Sequence, residues 1–128
     1  EQKLKTFSTY KPLIYDYIQF ILNQKHYTLA AKFLNKQLDW TRSDPKLFSL
    51  QAELYARLGK NLLRHQAQAE SYYLQGNLAA AIEQLELAQR AGDGDFYQQS
   101  SVEARLKQFK QLRMNYQTED KKKEKEQK

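Results

Sequence analysis

The sequence has no cysteine, which excludes disulfides and thiolate chemistry and leaves the redox compartment open. Histidine is scarce: His26 and His65 are the only two, and neither stands with a Glu and a second His at the spacing that sets two ligands on one helical face. Both are expected as polar positions facing solvent, and neither a metal nor a cofactor is expected. The four glycines form no phosphate loop, and no Ser sits in a nucleophile elbow. Carboxylates such as Glu83 and Glu86, three apart among polar neighbours, read as an exposed helix face. The chain is therefore read as non-catalytic. Two prolines, four glycines and little β-branched enrichment argue against strands and for helices joined by short turns. No apolar run approaches the length that crosses a bilayer, so a soluble chain without a transmembrane segment is expected.

Charge is in modest excess. The formal net charge is +6, and the stretch from Glu119 to Lys128 holds five Lys against four acidic residues, so most of the excess is spread over the body. A diffuse surplus favours solubility and weak attraction to acidic surfaces, not a specific nucleic-acid site, and no nucleic-acid partner is expected. A length of 128 residues is one domain's worth. The chain opens on Glu1 with no charged-then-apolar leader. A start without Met, in helix-like sequence, is read as a piece of a longer protein.

What is plentiful is apolar residues spaced by three and four, which is helical periodicity. Residues 1–10 are weakly patterned and are expected to be a lead-in segment. Pro12 suits a first helical turn, and Leu13, Ile14, Tyr17, Ile18, Ile21 and Leu22 follow as a broad apolar stripe. After a turn at Asn23 to Lys25, a second helix carries Tyr27, Ala30, Ala31, Phe33, Leu34 and Leu38 and ends near Trp40. Asp44-Pro45 caps and starts a third, with Leu47, Phe48, Leu50, Leu54, Tyr55 and Leu58, closed by Gly59. Lys60 to Gln75 and Asn77 to Arg90 make the fourth and fifth, joined at Gly76. Gly92-Asp93-Gly94 breaks the chain, and Asp95 with Gln98 forms a capping box for a sixth helix showing Phe96, Val102, Leu106, Phe109 and Leu112. Beyond Tyr116 the apolar period fades, and residues 118–128 are expected to be a charged, disordered tail.

Two of these hairpins align. Ile21-x3-Lys25-x-Tyr27-x2-Ala30-x3-Leu34 matches Tyr72-x3-Gly76-x-Leu78-x2-Ala81-x3-Leu85, and Tyr55-x3-Gly59 stands 34 residues after the first. An aromatic, a glycine turn, an alanine and a large apolar residue at this period resemble the tetratricopeptide (TPR) pattern from Lys11 to Gly92. Departures are the missing Trp of the first helices, Ala52 and Ala69 where Gly is preferred, and Asp93 where Pro is preferred. Gly76 follows Gly59 by half a period, so the fourth helix must close one hairpin and open the next. The resemblance implies an all-α, right-handed superhelix of about six helices in antiparallel hairpins. It spans residues 11–117, with residues 95–117 as capping helix.

A closer likeness lies in the last two-thirds. Phe48-Ser-Leu-Gln-Ala52, Gln68-Ala-Glu-Ser-Tyr72 with Gly76, Ala81-Ile-Glu-Gln-Leu85, and Tyr97-Gln-Gln-Ser-Ser-Val-Glu-Ala104-Arg-Leu106 resemble the C-terminal repeat domain of bacterial β-barrel assembly-enhancing proteases. These are periplasmic zinc metallopeptidases whose HExxH catalytic domain precedes a TPR tail. The resemblance implies a periplasmic, non-catalytic domain acting in outer-membrane protein quality control. Its partner would be a polypeptide: client outer-membrane proteins, the assembly machinery, or the parent's own protease domain. Two alternatives stay open, a free-standing TPR scaffold or adaptor and a basic helical module for nucleic acid.

Nine Tyr and six Phe fall mostly on the stripes and are assigned to packing between hairpins. Eight residues lie just off the stripes on the expected first helices: Tyr15, Gln19, Asn23, Ser49, Glu53, Gln66, Glu70 and Tyr73. In stacked hairpins that face lines a concave groove, so these are the candidate polypeptide-binding residues.

Overall fold

The computed structural model describes residues 11–127, and among these residues backbone hydrogen bonding and apolar periodicity combine into six helices. The expected lead-in, residues 1–10, lies outside the described residues. The helices are α1 (Lys11–Asn23), α2 (Tyr27–Trp40), α3 (Pro45–Arg57), α4 (Asn61–Leu74), α5 (Leu78–Arg90) and α6 (Phe96–Glu126). No strand occurs among the described residues, and the protein is an all-α arrangement of helical hairpins.

The turns explain the half-period spacing. Lys25, Gly59, Gly76 and Gly92 all take positive φ, at 62°, 72°, 80° and 75°. Each ends a helix by the left-handed conformation that exposes the last carbonyls to capping N–H groups, as in the bond from Lys60 N–H to the Tyr55 carbonyl. Lys25 does this without glycine, at the steric cost a Cβ carries there. At the other ends, the Asp44 carboxylate accepts from Lys46 N–H, Asn77 from Ala80 N–H, and Asp95 with Gln98 completes its capping box.

Two cores result. Ile14, Ile18, Leu22, Leu34, Leu38, Leu47 and Leu54 anchor one among α1, α2 and α3. Leu62, Ala69, Ala81, Ile82, Leu85, Val102, Leu106 and Phe109 form the other among α4, α5 and α6. Side by side, α1 lies next to α3 and α4 next to α6, while α3 and α5 form no such pair. The α3–α4 hairpin therefore joins two three-helix units, and α4 serves both α3 and α5. Ser71 is the bolt at this joint: its hydroxyl donates to the Pro45 carbonyl at 2.8 Å, so the 2.7 Å contact with Ser49 has Ser49 as donor.

The start of α4 has no cap of its own, since Lys60 offers no acceptor. Asp93 supplies it from the far side of the α5 turn, accepting from Leu62 N–H at 2.9 Å and Asn61 N–H at 2.5 Å. Gly94 lets this loop close down, because a Cβ there would collide with the Leu62 side chain. The two backbone donors, Leu62 first, hold the Asp93 carboxyl below its ordinary 3.8. A depressed folded pKa contributes stability that is present above 3.8 and is lost as pH falls through the folded value. Asp93→Ala is therefore expected to lower the melting temperature at pH 7 and to sit closer to the parent at pH 3. Calorimetry at both pH values checks this, and an equal gap at both contradicts the charged cap.

Several sequence expectations need correction. Residues 118–126 of the expected disordered tail, residues 118–128, are helical: α6 continues through Glu126, with every residue from Arg113 to Gln127 exposed. Lys, Glu and Gln are good helix formers, and Glu119 to Lys123 is a favourable i,i+4 pair, so the helix runs on without a core. Leu13, Tyr17, Leu58 and Phe96, assigned to inward stripes, are 56%, 45%, 40% and 81% exposed. His65 is not solvent-facing but half-buried, its Nε2 3.1 Å from the Arg64 guanidinium and its Nδ1 2.8 Å from Gln84 Oε1. Arg donates only, so Nε2 accepts and Nδ1–H donates to Gln84.

Candidate binding cleft

The side-by-side placement of α4 and α6, with α3 across the other side of α4, leaves an open cleft of about 420 Å³. Its floor is Phe48 and Tyr55 from α3 and Leu63 and Ala67 from α4. Its rim is polar: Gln51, Gln66, Glu70, Ser101, Arg105 and Gln108, with Arg42 at one end.

The chemistry of the floor follows from helical spacing. Phe48, Gln51 and Tyr55 are three and four residues apart on α3, and Leu63, Gln66, Ala67 and Glu70 repeat that spacing on α4, so each set shares one face. Burial pushes the Tyr55 phenol above its ordinary 10.0, and like any tyrosine it is protonated and able to donate near neutral pH. Arg105 is already engaged. It gives Glu70 two bonds, Nε to Oε2 at 2.9 Å and a terminal nitrogen to Oε1 at 2.7 Å, and it lies 5.1 and 4.5 Å from the Tyr73 and Phe109 ring centroids. The Glu70 bond first of all raises the Arg105 guanidinium above its ordinary value. Arg42, 75% exposed at the cleft mouth, is ion-paired with Asp39 at 3.9 Å.

Of the eight candidate groove residues, Gln66 and Glu70 line this cleft. The other six are set elsewhere, holding helices together. Tyr15 donates to the buried Asp44 at 2.6 Å, and burial first, then that bond, raises its phenol above the ordinary value. Gln19 donates to Glu53 at 3.2 Å and to Asn23 at 3.3 Å, and Arg57 binds Asn23, Glu53 and the Leu22 carbonyl. Ser49 belongs to the Ser71 joint. Tyr73 stacks on Phe109 at 4.8 Å and 19°. Gln66 also donates to Ser101 at 3.1 Å.

Sequence reading missed Arg42, Gln51, Ser101, Arg105 and Gln108. Of these only Arg105 stands in a motif the sequence singles out, as the last residue of Gln-Gln-x3-Glu-Ala-Arg in the sixth helix, a helix expected to be a cap and not a cleft wall. Among the described residues no group of His, Cys, Asp and Glu is arranged to hold a metal ion, and no helix is long and apolar enough to cross a membrane. No protein-family model, curated protein or solved structure matches the chain.

Proposed function

We propose that this domain is a non-catalytic protein–protein interaction module that receives an extended polypeptide segment in the α3–α4–α6 cleft. The observation that carries the reading is the pairing of an aromatic and aliphatic floor with a rim that includes the carboxamides of Gln51, Gln66 and Gln108. Carboxamides offer a donor and an acceptor together, the pair an extended backbone needs along its edge. From Phe48 to Tyr55 the floor runs about 10 Å, at 1.5 Å per helical residue. That holds roughly three residues of extended chain.

An extended strand turns alternate side chains to opposite faces, so an apolar floor under a polar rim favours alternating apolar and polar residues. Strands of outer-membrane barrels have that alternation. This supports the narrower reading from the sequence resemblance: the C-terminal TPR tail of a periplasmic zinc metalloprotease, docking client outer-membrane proteins, the assembly machinery or its own protease domain. A scaffold without a protease uses the same cleft. The test is a titration of the isotope-labelled chain with a ten-residue peptide alternating Val and Thr, against the same composition in two blocks. Shifts centred on Gln51, Tyr55 and Gln66 are expected for the alternating peptide. Gln51→Ala and Leu63→Gln are each expected to weaken it about tenfold, the worth of one good contact. Equal responses to both peptides, or shifts away from the cleft, would refute the reading.

A further inference from the structure

The outer side of α1 and α2 is an open apolar surface. Leu13 and Phe20 on α1 are 56% and 59% exposed, and Leu29 and Trp40 on α2 are 48% and 47% exposed. Tyr17 and Phe33, with ring centroids 5.0 Å apart, join the two rows into one surface. Single exposed apolar residues need no explanation, but a joined row of this size marks a contact surface.

The internal repeat says what kind of contact. Gln19 bonds Glu53 and Asn23 bonds Arg57, 34 residues on in each case, so α3 stands one repeat after α1. In that register Leu13 corresponds to Leu47 and Phe20 to Leu54, and both of these are only 2% exposed. They are covered by the preceding hairpin, in the core that includes Leu34 and Leu38, four residues apart on α2. Leu13 and Phe20 thus carry the side chains with which a hairpin of this protein seats itself against a leucine-striped helix.

Charge decides which helix. Lys25 and Lys32 share a hollow with Leu29, and Lys36 lies one turn past Lys32, while the acidic residues beside the face are Asp16 on α1 and Asp39 on α2, the latter already paired with Arg42 at 3.9 Å. Two copies meeting through this face would oppose lysine to lysine. Residues 1–10 carry Lys3 and Lys5 against Glu1, so they add no acidic complement. We propose that the outer face of α1 and α2 seats an amphipathic helix of another protein, leucine-striped on its buried side and acidic along its flank.

The experiment uses the full 128-residue chain and two synthetic 18-residue helical peptides with the same leucine stripe, one flanked by Glu and one by Lys. Trp40 is the only tryptophan and sits on the face, so its emission reports occupancy. The acidic peptide is expected to shift that emission to shorter wavelength and to bind at least tenfold more tightly than the lysine peptide. Phe20→Glu is expected to weaken it by a further factor of at least ten with no change in melting temperature. The double change Lys32→Glu with Lys36→Glu is expected to turn the preference toward the lysine peptide, which a merely unfolded variant cannot do. Equal affinity for the two peptides, indifference to Phe20→Glu, or an emission shift that follows chain concentration without peptide each overturns the assignment.

Discussion

Phe109→Ala is expected to lower the free energy of unfolding by about 4 kcal/mol, the range for a fully enclosed aromatic truncated to a methyl. Phe109 is 0% exposed, stacks on Tyr73 at 4.8 Å, and lies under the Arg105 guanidinium at 4.5 Å. Removing it takes away transfer free energy, leaves a cavity and strips one face from the Glu70–Arg105 pair. Because the two cores are separate, the damage should also be local. Amide exchange is expected to quicken first in α4, α5 and α6, while α1 to α3 keep more of their protection, as in stacks where each unit contacts only its neighbours. Urea unfolding and hydrogen exchange check both parts. A loss below about 1 kcal/mol means that α6 is only loosely attached, and the cleft it walls would lose its definition.

Ala81→Leu is expected to cost about 3 kcal/mol, the upper end for forcing extra methylenes into a packed core. Ala81 is 0% exposed, as are Ala69 on α4 and Ala88 on α5, and these small residues are what allow α4 and α5 to lie close together. A leucine must push α5 off α4 or adopt a strained rotamer. Ala79→Leu is the control, since Ala79 is exposed on the same helix and the same change there should alter stability little. Denaturant midpoints with unchanged slopes measure the difference. Similar costs at the two positions would mean that helix propensity and not spacing is being read.

These contrasts bear on how the cleft is built. Its floor depends on α3 and α4 lying against each other at the Ser71 joint, and its far wall depends on α6 returning beside α4. Gln66 was recoverable from the sequence as an off-stripe residue of α4. Gln108 was not, because nothing local to α6 says which of its flanks faces another helix. Leu13 and Phe20 show the same limit: their 3.6-residue spacing marks an apolar face, but spacing alone does not say whether a neighbour covers it.

The sequence by itself determined the six helices and most of their ends. Asp44-Pro45, Gly59, Gly76, and Asp95 with Gln98 act within one turn of the backbone they cap, so short-range hydrogen bonding was enough to place them. The stripe carrying Ala81, Ile82, Leu85 and Ala88 likewise marked its own buried side. Tertiary structure alone decided the rest. Asp93 caps α4 across 32 residues, Arg105 meets Glu70 across 35, and α4 sides with α6 where α1 sides with α3. Such pairings depend on the free energy of the whole packed arrangement, in which many residues could serve as partner and only the folded geometry selects one.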